Sequence, residues 1–182
     1  MRQVHKAGER LFLDYAGQTV EMVDARTGEI SRAQIFVAVL GASNYTFACA
    51  TRTQQAEDWT RSIIAALEYI GGTPRLLVPD QPRALISNPD RYEPTTHLLL
   101  AELGEHYGVA VLPARPAHPK DKAKVEVGVQ VVERWILARL RDRSFTGLGE
   151  LNRAIAGLLT QLNERPFKKL PGCRRSAFEE ID

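Results

Sequence analysis

Residues 11–17 read LFLDYAG, and this stretch decides the fold that we expect. Its apolar and aromatic residues are typical of a buried strand, yet Asp14 lies at its centre. Because side chains alternate along a strand, Phe12 and Asp14 share one face, while the leucines and Tyr15 share the other and Tyr15 is expected in the core. A buried carboxylate is unfavourable unless its charge is compensated. Asp14 is therefore the first candidate for a functional residue.

A second acid ends another apolar run. Asp80 is the last residue of RLLVPD (75–80), where a predicted strand gives way to a loop rich in Pro, Asn and Asp (81–94). Functional side chains are common at such positions. Asp80 is the second candidate.

A third acid lies near the start of a basic amphipathic helix, KDKAKVEVGVQVVERWI (120–136). Glu126 lies about 100° around this helix from Val125, at the border between the apolar stripe and the basic face. Glu133 is two turns further on, on nearly the same face, and is a rival; Glu126 is preferred because the start of the helix is closer to the predicted strand ends. The apolar stripe consists of Val125, Val129, Val132, Ile136 and Leu140.

Two divalent cations held by all three acids would compensate their charge and explain why three distant segments each supply one. The alternative is that the acids are capped or salt-bridged surface groups, and spacing alone does not separate the two interpretations. Four other acids are better explained as turn, first-turn or surface residues: Asp24, Asp58, Asp90 and Asp121.

The order of predicted elements indicates an α/β fold. Short connections predict that the first four strands form an antiparallel meander, at 11–16, 19–24, 33–40 and 45–51. Two further strands, 75–79 and 108–114, alternate with helices at 54–70, 95–107, 119 to about 141, and about 148–163. A meander followed by strand–helix alternation implies a mixed sheet covered by helices.

Composition narrows the class of protein. The length of 182 residues fits one domain, and the hydrophobic fraction of 44% is ordinary for a globular protein. No stretch has the apolar length of a membrane span, and the charged start MRQVHKAGER is no signal peptide. Cys49 and Cys173 form no CxxC pair, and two lone cysteines suit a reducing cytosol.

Positive charge is concentrated in one region. Residues 115–143 contain eight Lys/Arg against four acids, although the net charge of the chain is only +2. This region is a candidate phosphate-binding surface, and a solvated helix face is the alternative. The residues that we expect to contact phosphates are Arg115, Lys120, Lys122, Lys124 and Arg134.

Four motifs carry a family resemblance: HKAGERLFLDYAGQTV (5–20), the strand ending in VPD (78–80), DKAKVEVGVQVVERWILARLR (121–141) and PGCRRSAFEEID (171–182). Together they resemble the catalytic core of DDE transposases in the retroviral-integrase superfamily, and more closely the larger transposase of the IS21 insertion-sequence family. The resemblance implies a ribonuclease H-like fold with a five-stranded mixed sheet flanked by helices. It matches Asp14, Asp80 and Glu126 to the catalytic Asp, Asp and Glu. One departure is Gln81, followed by Pro82, where many family members have Asn.

The resemblance also implies a reaction. DDE enzymes cleave transposon ends and join them to target DNA by metal-dependent phosphoryl transfer, so two Mg²⁺ or Mn²⁺ ions are expected with DNA bound. Asp14 is the best candidate to bridge both ions. The implied partners are transposon-end and target DNA, other copies of the chain, and a helper AAA+ ATPase; no membrane is expected. The implied location is the bacterial cytoplasm, at the nucleoid. Two alternatives are a simple nuclease of the same fold and a non-catalytic DNA-binding or oligomerisation module.

The expected domain organisation is a catalytic core at 1–165 and an extension at 166–182 that leads towards a further C-terminal region. The resemblance implies a helix-turn-helix region upstream. The zinc-binding His/Cys module of retroviral integrases is not expected, since His5 has no matching partners in the sequence. We therefore expect the chain to be the core of a longer protein.

Overall fold

The computed structural model describes residues 5–80, 86–88, 95–96, 98–112 and 119–182. The strands of these segments are β1 (Arg10–Tyr15), β2 (Val20–Val23), β3 (Ile30–Leu40), β4 (Thr46–Thr51), β5 (Leu76–Pro79), β6 (Ile86–Asn88), β7 (Thr95–Thr96) and β8 (Ala110–Val111). The helices are α1 (Ala56–Ile70), α2 (Leu98–Tyr107), α3 (Pro119–Val132), a π-helical turn (Glu133–Leu137), α4 (Ala138–Leu140), α5 (Leu148–Glu164) and α6 (Arg174–Ile181).

A mixed sheet in the order β4-β3-β1-β5-β8 forms the centre of the molecule, with β2 also paired to β3. β1 is antiparallel to β3 and parallel to β5, and β5 is parallel to β8. A parallel pair requires a crossover: the connection from β1 to β5 includes β2, β3, β4 and α1, and the connection from β5 to β8 includes α2. The predicted α/β architecture is confirmed.

The predicted meander is wrong in one respect: β1 does not pair with β2. Both strands are antiparallel to β3, β1 along Phe36–Leu40 and β2 along Ile30–Ala33. β3 has 11 residues, which is long enough for the two short strands to follow one another beside it. The short connections therefore correctly predicted the pairing of β2 with β3 and of β3 with β4. The predicted pairing of β1 with β2 is wrong, because β1 pairs with β3.

The sheet is covered on both faces, as its long apolar strands require. One face packs against α1 and α2 through Trp59, Ile63 and Leu100, with Leu13 and Phe36 from the sheet. The other face packs against α3, the π-helical turn, α4 and α5. The residues buried in that layer include Val37, Val39, Val132, Ile136, Leu140, Ile155 and Leu159.

Three predicted boundaries differ from the structure. The loop predicted at 81–94 contains β6, which pairs with β7, so the helix predicted from residue 95 begins at Leu98. The strand predicted at 108–114 is formed only by Ala110 and Val111 within the described residues. The tail forms α6, because Cys173 and Ser176 cap each other's backbone and stabilise the start of a helix.

Candidate active site

Asp14 and Asp80 lie beside one another at the ends of two neighbouring parallel strands. Leu13 is paired with Pro79 in the register of β1 and β5, so each acid directly follows a paired residue. The backbone N–H of Asp80 donates to the carbonyl of Leu13 over 2.9 Å, which extends the ladder by one bond. Both acids are half-buried. Two acids 66 positions apart in sequence thus lie at the same end of two neighbouring central strands.

Both acids belong to the face of the sheet that α3 covers. Two residues before each acid, Phe12 and Val78 are buried together with Val125 of α3. Because side chains alternate along a strand, a residue two positions further on returns to the same face. Asp14 and Asp80 therefore lie on the α3 side, as the alternation in LFLDYAG predicts.

The opposite face of β1 is apolar. The Tyr15 ring packs edge-on against Trp59 and Phe36, with centroids 4.9 and 5.6 Å away, and its hydroxyl is 3.1 Å from Thr51 Oγ1. Burial raises the pKa of Tyr15 to about 12, so the hydroxyl stays protonated at neutral pH. Tyr15 is a core residue, as predicted.

The Asp14 carboxylate is hydrogen-bonded to the backbone that follows it. One carboxylate oxygen accepts the N–H of Tyr15 over 2.8 Å, which fixes the orientation of the group. A Cβ placed on Gly17, three residues further along, would meet no atom within 4 Å. The backbone just beyond Asp14 therefore leaves room for a side chain at position 17.

The helix that carries the third predicted acid lies close against the sheet. A Cβ on Gly128 would collide with Val39, so only glycine permits this approach. The predicted stripe is confirmed: Val125, Val132, Ile136 and Leu140 are buried and Val129 packs against them. Glu126 is exposed, and Glu133 is half-buried at the start of the π-helical turn.

The described residues contain no group of three His, Cys, Asp or Glu side chains arranged to hold a metal ion. The strands thus bring Asp14 and Asp80 together, while neither Glu126 nor Glu133 completes a three-residue cluster with them. The catalytic assignment of Asp14, Asp80 and Glu126 stays a prediction. So does the choice between the two glutamates.

The predicted phosphate-binding residues lie in different settings. Burial lowers the pKa of His5, and the nearby positive charges of Lys124 and Arg10 lower it further. Lys124 therefore lies close to His5. Arg134 is exposed in the π-helical turn. Lys120 and Lys122 lie in the first turns of α3. Arg115 lies outside the described residues, as do Gln81, Pro82, Asp90, His97 and His118.

Two acids set aside in the sequence analysis have structural roles, as predicted. Asp24 accepts the N–H groups of Arg26 and Thr27 over 2.8 and 2.9 Å, and these bonds lower its pKa. Asp58, in the first turn of α1, accepts both the N–H and the hydroxyl of Thr53. These hydrogen bonds explain the positions of Asp24 and Asp58 without a metal site.

A second basic cluster was not singled out in the sequence analysis. Arg165, Lys168 and Arg174 line one pocket together with Arg134 and Trp135. The signal was available in RPFKKLPGCRR (165–175), which has five Lys/Arg and no acid. Sequence could not show that this run meets the π-helical turn, because the two are about 30 residues apart.

None of the helices in the described part of the chain has the length and apolar character of a membrane-spanning segment.

Comparison of sequences relates the chain to insertion-sequence transposases. The chain is 60% identical over 182 residues to the transposase for IS408 of Burkholderia multivorans, which covers all of the chain and 35% of that protein. It is 58% identical over its full length to the transposase for IS1162 of Pseudomonas fluorescens, of which it covers 32%. The transposase for IS21 of Pseudomonas aeruginosa is 26% identical over 155 residues, 84% of this chain and 40% of that protein. The chain thus spans about a third of the length of the curated relatives it matches. No family model matches it.

Comparison of structures identifies the fold. The catalytic core domain of HTLV-2 integrase in complex with magnesium has a TM-score of 0.66 and 13% identity, covering 97% of this chain and 99% of that one. The catalytic core domain of BIV integrase has a TM-score of 0.63 and 14% identity, covering 93% of each chain. At such identities the likeness concerns the fold alone, and it agrees with the predicted ribonuclease H-like sheet. The chain is therefore similar in sequence to about a third of the length of insertion-sequence transposases, and it has the fold of an integrase catalytic core.

Proposed function

We propose that the chain is the catalytic core of a DDE transposase and carries out metal-dependent phosphoryl transfer on DNA. The observation that carries the proposal is the pairing of Asp14 and Asp80 at adjacent strand ends, on the face that α3 covers. The transposase relatives supply the class of reaction, since the matched region includes both strands and the helix. The substrates are transposon-end and target DNA.

The acids fit a divalent cation by their chemistry. Mg²⁺ prefers carboxylate, phosphate and water oxygens, and Mn²⁺ accepts the same donors. Asp14 and Asp80 offer such oxygens from adjacent strand ends. Asp14, Asp80 and Glu126 would hold the metal, with Glu126 preferred to Glu133. The magnesium in the HTLV-2 core structure supports dependence on a divalent ion in this fold.

When bound, two such cations activate the attacking oxygen and stabilise the leaving oxygen of an in-line displacement. The contribution of the chain is to hold the ligands still. Asp14 is fixed by the sheet and by the N–H of Tyr15, and Asp80 by its own N–H bond to Leu13. Rigid strand ends place reacting groups more reproducibly than loops do. Lys124 and Arg134, with the other predicted cations of the basic region, would bind the flanking phosphates.

Partners follow from the same proposal. Transposition joins two DNA ends, so we propose that several copies of the chain act together; the HTLV-2 core is described in dimeric and trimeric forms. A helper AAA+ ATPase that selects the target and a location in the bacterial cytoplasm, at the nucleoid, are further parts of the proposal. They rest on the relationship to insertion-sequence transposases.

The experiment compares wild type with Asp14→Asn in nicking and strand transfer on DNA that carries the ends of the element. With Mg²⁺ or Mn²⁺ present, the activity of Asp14→Asn should be roughly a hundred- to a thousandfold lower than that of wild type. The reason is that metal stabilisation of the transition state is worth several kcal/mol. Asp24→Asn is the matched control, since Asp24 is an acid held in a turn by two N–H groups. It should retain full activity, and chelation of the metal should abolish activity in every variant.

The outcomes separate the alternatives. Full activity in purified Asp14→Asn would refute the site assignment. Metal-dependent nicking with no joined product would indicate the simple nuclease, and DNA binding without either reaction would indicate the non-catalytic module. Glu126→Gln and Glu133→Gln, measured side by side, decide between the two glutamates, since only the metal ligand should match the loss in Asp14→Asn.

A further inference from the structure

A second site lies where the π-helical turn meets the connection between α5 and α6. The cavity there has a volume of about 390 Å³. The aromatic residues Trp135 and Phe167 line it. Its four charged lining residues are all cations: Arg134, Arg165, Lys168 and Arg174. We call these residues the basic pocket.

The charge of the basic pocket is uncompensated. Among the described residues, no acid lines the pocket and none of its four cations forms an ion pair. Glu164, the acid next to Arg165 in sequence, is instead 3.5 Å from Arg175. Burial and the neighbouring charge of Arg165 both lower the pKa of Arg174. Cations gathered in this way attract an anion.

Aromatic rings hold two of the guanidinium groups in place. Arg165 lies over the Trp135 ring at 3.4 Å from its centroid, and Arg174 lies 5.7 Å from the centroid of Phe167. Arg139 covers Trp135 as well, at 4.7 Å. One Nη of Arg174 donates to the carbonyl of Leu162 over 3.4 Å. The other N–H groups at the edges of the stacked guanidinium groups can bond phosphate oxygens.

The backbone around the pocket is also fixed. Phe167 donates its N–H to the carbonyl of Gly172 over 2.9 Å, and Gly172 adopts a φ of 77° that favours glycine. This closes residues 167–172 into a tight loop that presents Lys168. On the other side, Arg134 and Trp135 belong to the π-helical turn, a distortion that is frequent at functional sites.

We infer that the basic pocket binds a phosphodiester group of DNA outside the proposed active site. The inference rests on the proposed function in taking DNA as the ligand. Glu126 and Trp135 are nine residues apart, or about 14 Å along the helix, which equals about four nucleotides of one strand. The pocket would therefore hold DNA that flanks the cleaved bond, without reading its bases.

The test measures binding of a labelled duplex of about 20 base pairs by fluorescence anisotropy, between about 50 and 200 mM salt. EDTA is present throughout, so binding is measured without the metal. Arg134→Gln/Lys168→Gln removes two exposed cations and leaves the stacked ones intact. It should weaken binding roughly ten- to a hundredfold near 0.1 M salt and reduce the slope of log affinity against log salt by about 2, because each lost phosphate contact contributes about 0.9.

Arg26→Gln/Arg75→Gln is the control, because it removes two equally exposed charges outside the pocket. It should change the slope little. Equal losses in the two double variants would show that net charge alone acts, and would overturn the inference. Failure of the wild-type chain to bind the duplex would also overturn the inference. So would a competition experiment in which polyglutamate displaces the labelled duplex as effectively as unlabelled DNA of equal charge.

Tryptophan fluorescence gives a second readout. The chain has two tryptophans, and Trp59 is buried in the core while Trp135 lines the pocket. DNA should change the emission of Trp135, and Trp135→Phe should remove that change. Binding in EDTA tests the pocket, whereas metal-dependent nicking by the wild-type chain tests the proposed active site, so a failure of catalysis and a failure of the pocket give different results.

Discussion

At the scale of single residues, Gly128 determines how closely α3 approaches the sheet. It lies two positions from Glu126, and a Cβ there would collide with a methyl group of Val39. Val39 is almost fully buried in β3, where it has little room to move. The distance between α3 and the sheet therefore depends on having glycine, which lacks a Cβ, at residue 128. The position of Glu126 depends on that distance.

Gly128→Ala should destabilise the protein by about 1–3 kcal/mol, as overpacking of a core does. Alanine is the better helix former, so helix propensity alone predicts the opposite sign. Urea unfolding followed by circular dichroism measures the difference.

Gly157→Ala is the matched control for Gly128→Ala. Gly157 is an exposed helical glycine in α5, and a Cβ there would meet nothing within 4 Å. This variant should stabilise the protein by about 0.4–1 kcal/mol. Equal and stabilising effects at both positions would show that the contact with Val39 does not limit the packing of α3.

The sequence predicts these residue positions only in part. Alternation in LFLDYAG is sufficient to place Phe12 and Asp14 on one face, because a strand offers two faces only. The helical period likewise identifies the buried stripe from Val125 to Leu140. Neither pattern specifies how far α3 is shifted along the sheet or which rotamer Glu126 adopts. Those depend on packing, so the third ligand could be proposed from sequence but not positioned.

At the scale of elements, β4 shows how the sheet protects an edge. Among the described strands it pairs only with β3, which leaves its other edge open. Two asparagines of α5 occupy that edge. Asn152 accepts the N–H of Ala50 and donates to its carbonyl, and Asn163 does the same for Thr46. Each side-chain amide replaces one peptide group of a missing neighbouring strand.

Asn163→Ala should destabilise the protein by about 1–3 kcal/mol, because it leaves both backbone groups of buried Thr46 without partners. It also removes the donor to the Tyr69 hydroxyl at 3.1 Å. Thermal unfolding measures the loss, and amide hydrogen exchange should show faster exchange at Thr46. Thr160→Ala, an exposed site one turn away, should stay within about 0.5 kcal/mol. Unchanged exchange at Thr46 would contradict the proposed edge protection.

Sequence predicts long elements better than short ones. The apolar run of β3 and the periodic α1 and α5 were expected within a few residues of their observed bounds. β1 and β2 were identified as strands and the pairing of β2 with β3 was predicted, but the pairing of β1 with β3 was not. A short connection does not distinguish a hairpin from two segments that lie beside one longer strand. The pairing of side-chain amides with β4 has no sequence signature, since it joins residues about 100 positions apart.

At the scale of the whole molecule, α6 joins the two ends of the described chain. The Asp182 carboxylate accepts the N–H of Gly8 over 2.7 Å and the N–H of Ser43 over 3.0 Å. The Phe178 ring stacks on Tyr45 with centroids 4.4 Å apart, and Tyr45 stacks in turn on Tyr69 of α1. These contacts connect residues 166–182 to the layer of α1. The predicted boundary at residue 165 stays a prediction, and energetic coupling across it can be measured.

Phe178→Ala should lower the free energy of unfolding by about 1–3 kcal/mol, less than for a fully buried ring because Phe178 is half-buried. For a chain of this length, that corresponds to a fall in Tm of about 2–4 °C per kcal/mol. Ile181→Ala is the control: Ile181 is 47% exposed, and its loss should change little. The decisive readout is the fluorescence of Trp59, a residue of α1 buried against the sheet, measured in a Trp135→Phe background because Trp135 also emits. If residues 166–182 unfold with the core, the Trp59 transition shifts together with the circular dichroism transition. If the two transitions separate, or only the helical signal shifts, the boundary at 165 divides two energetic units.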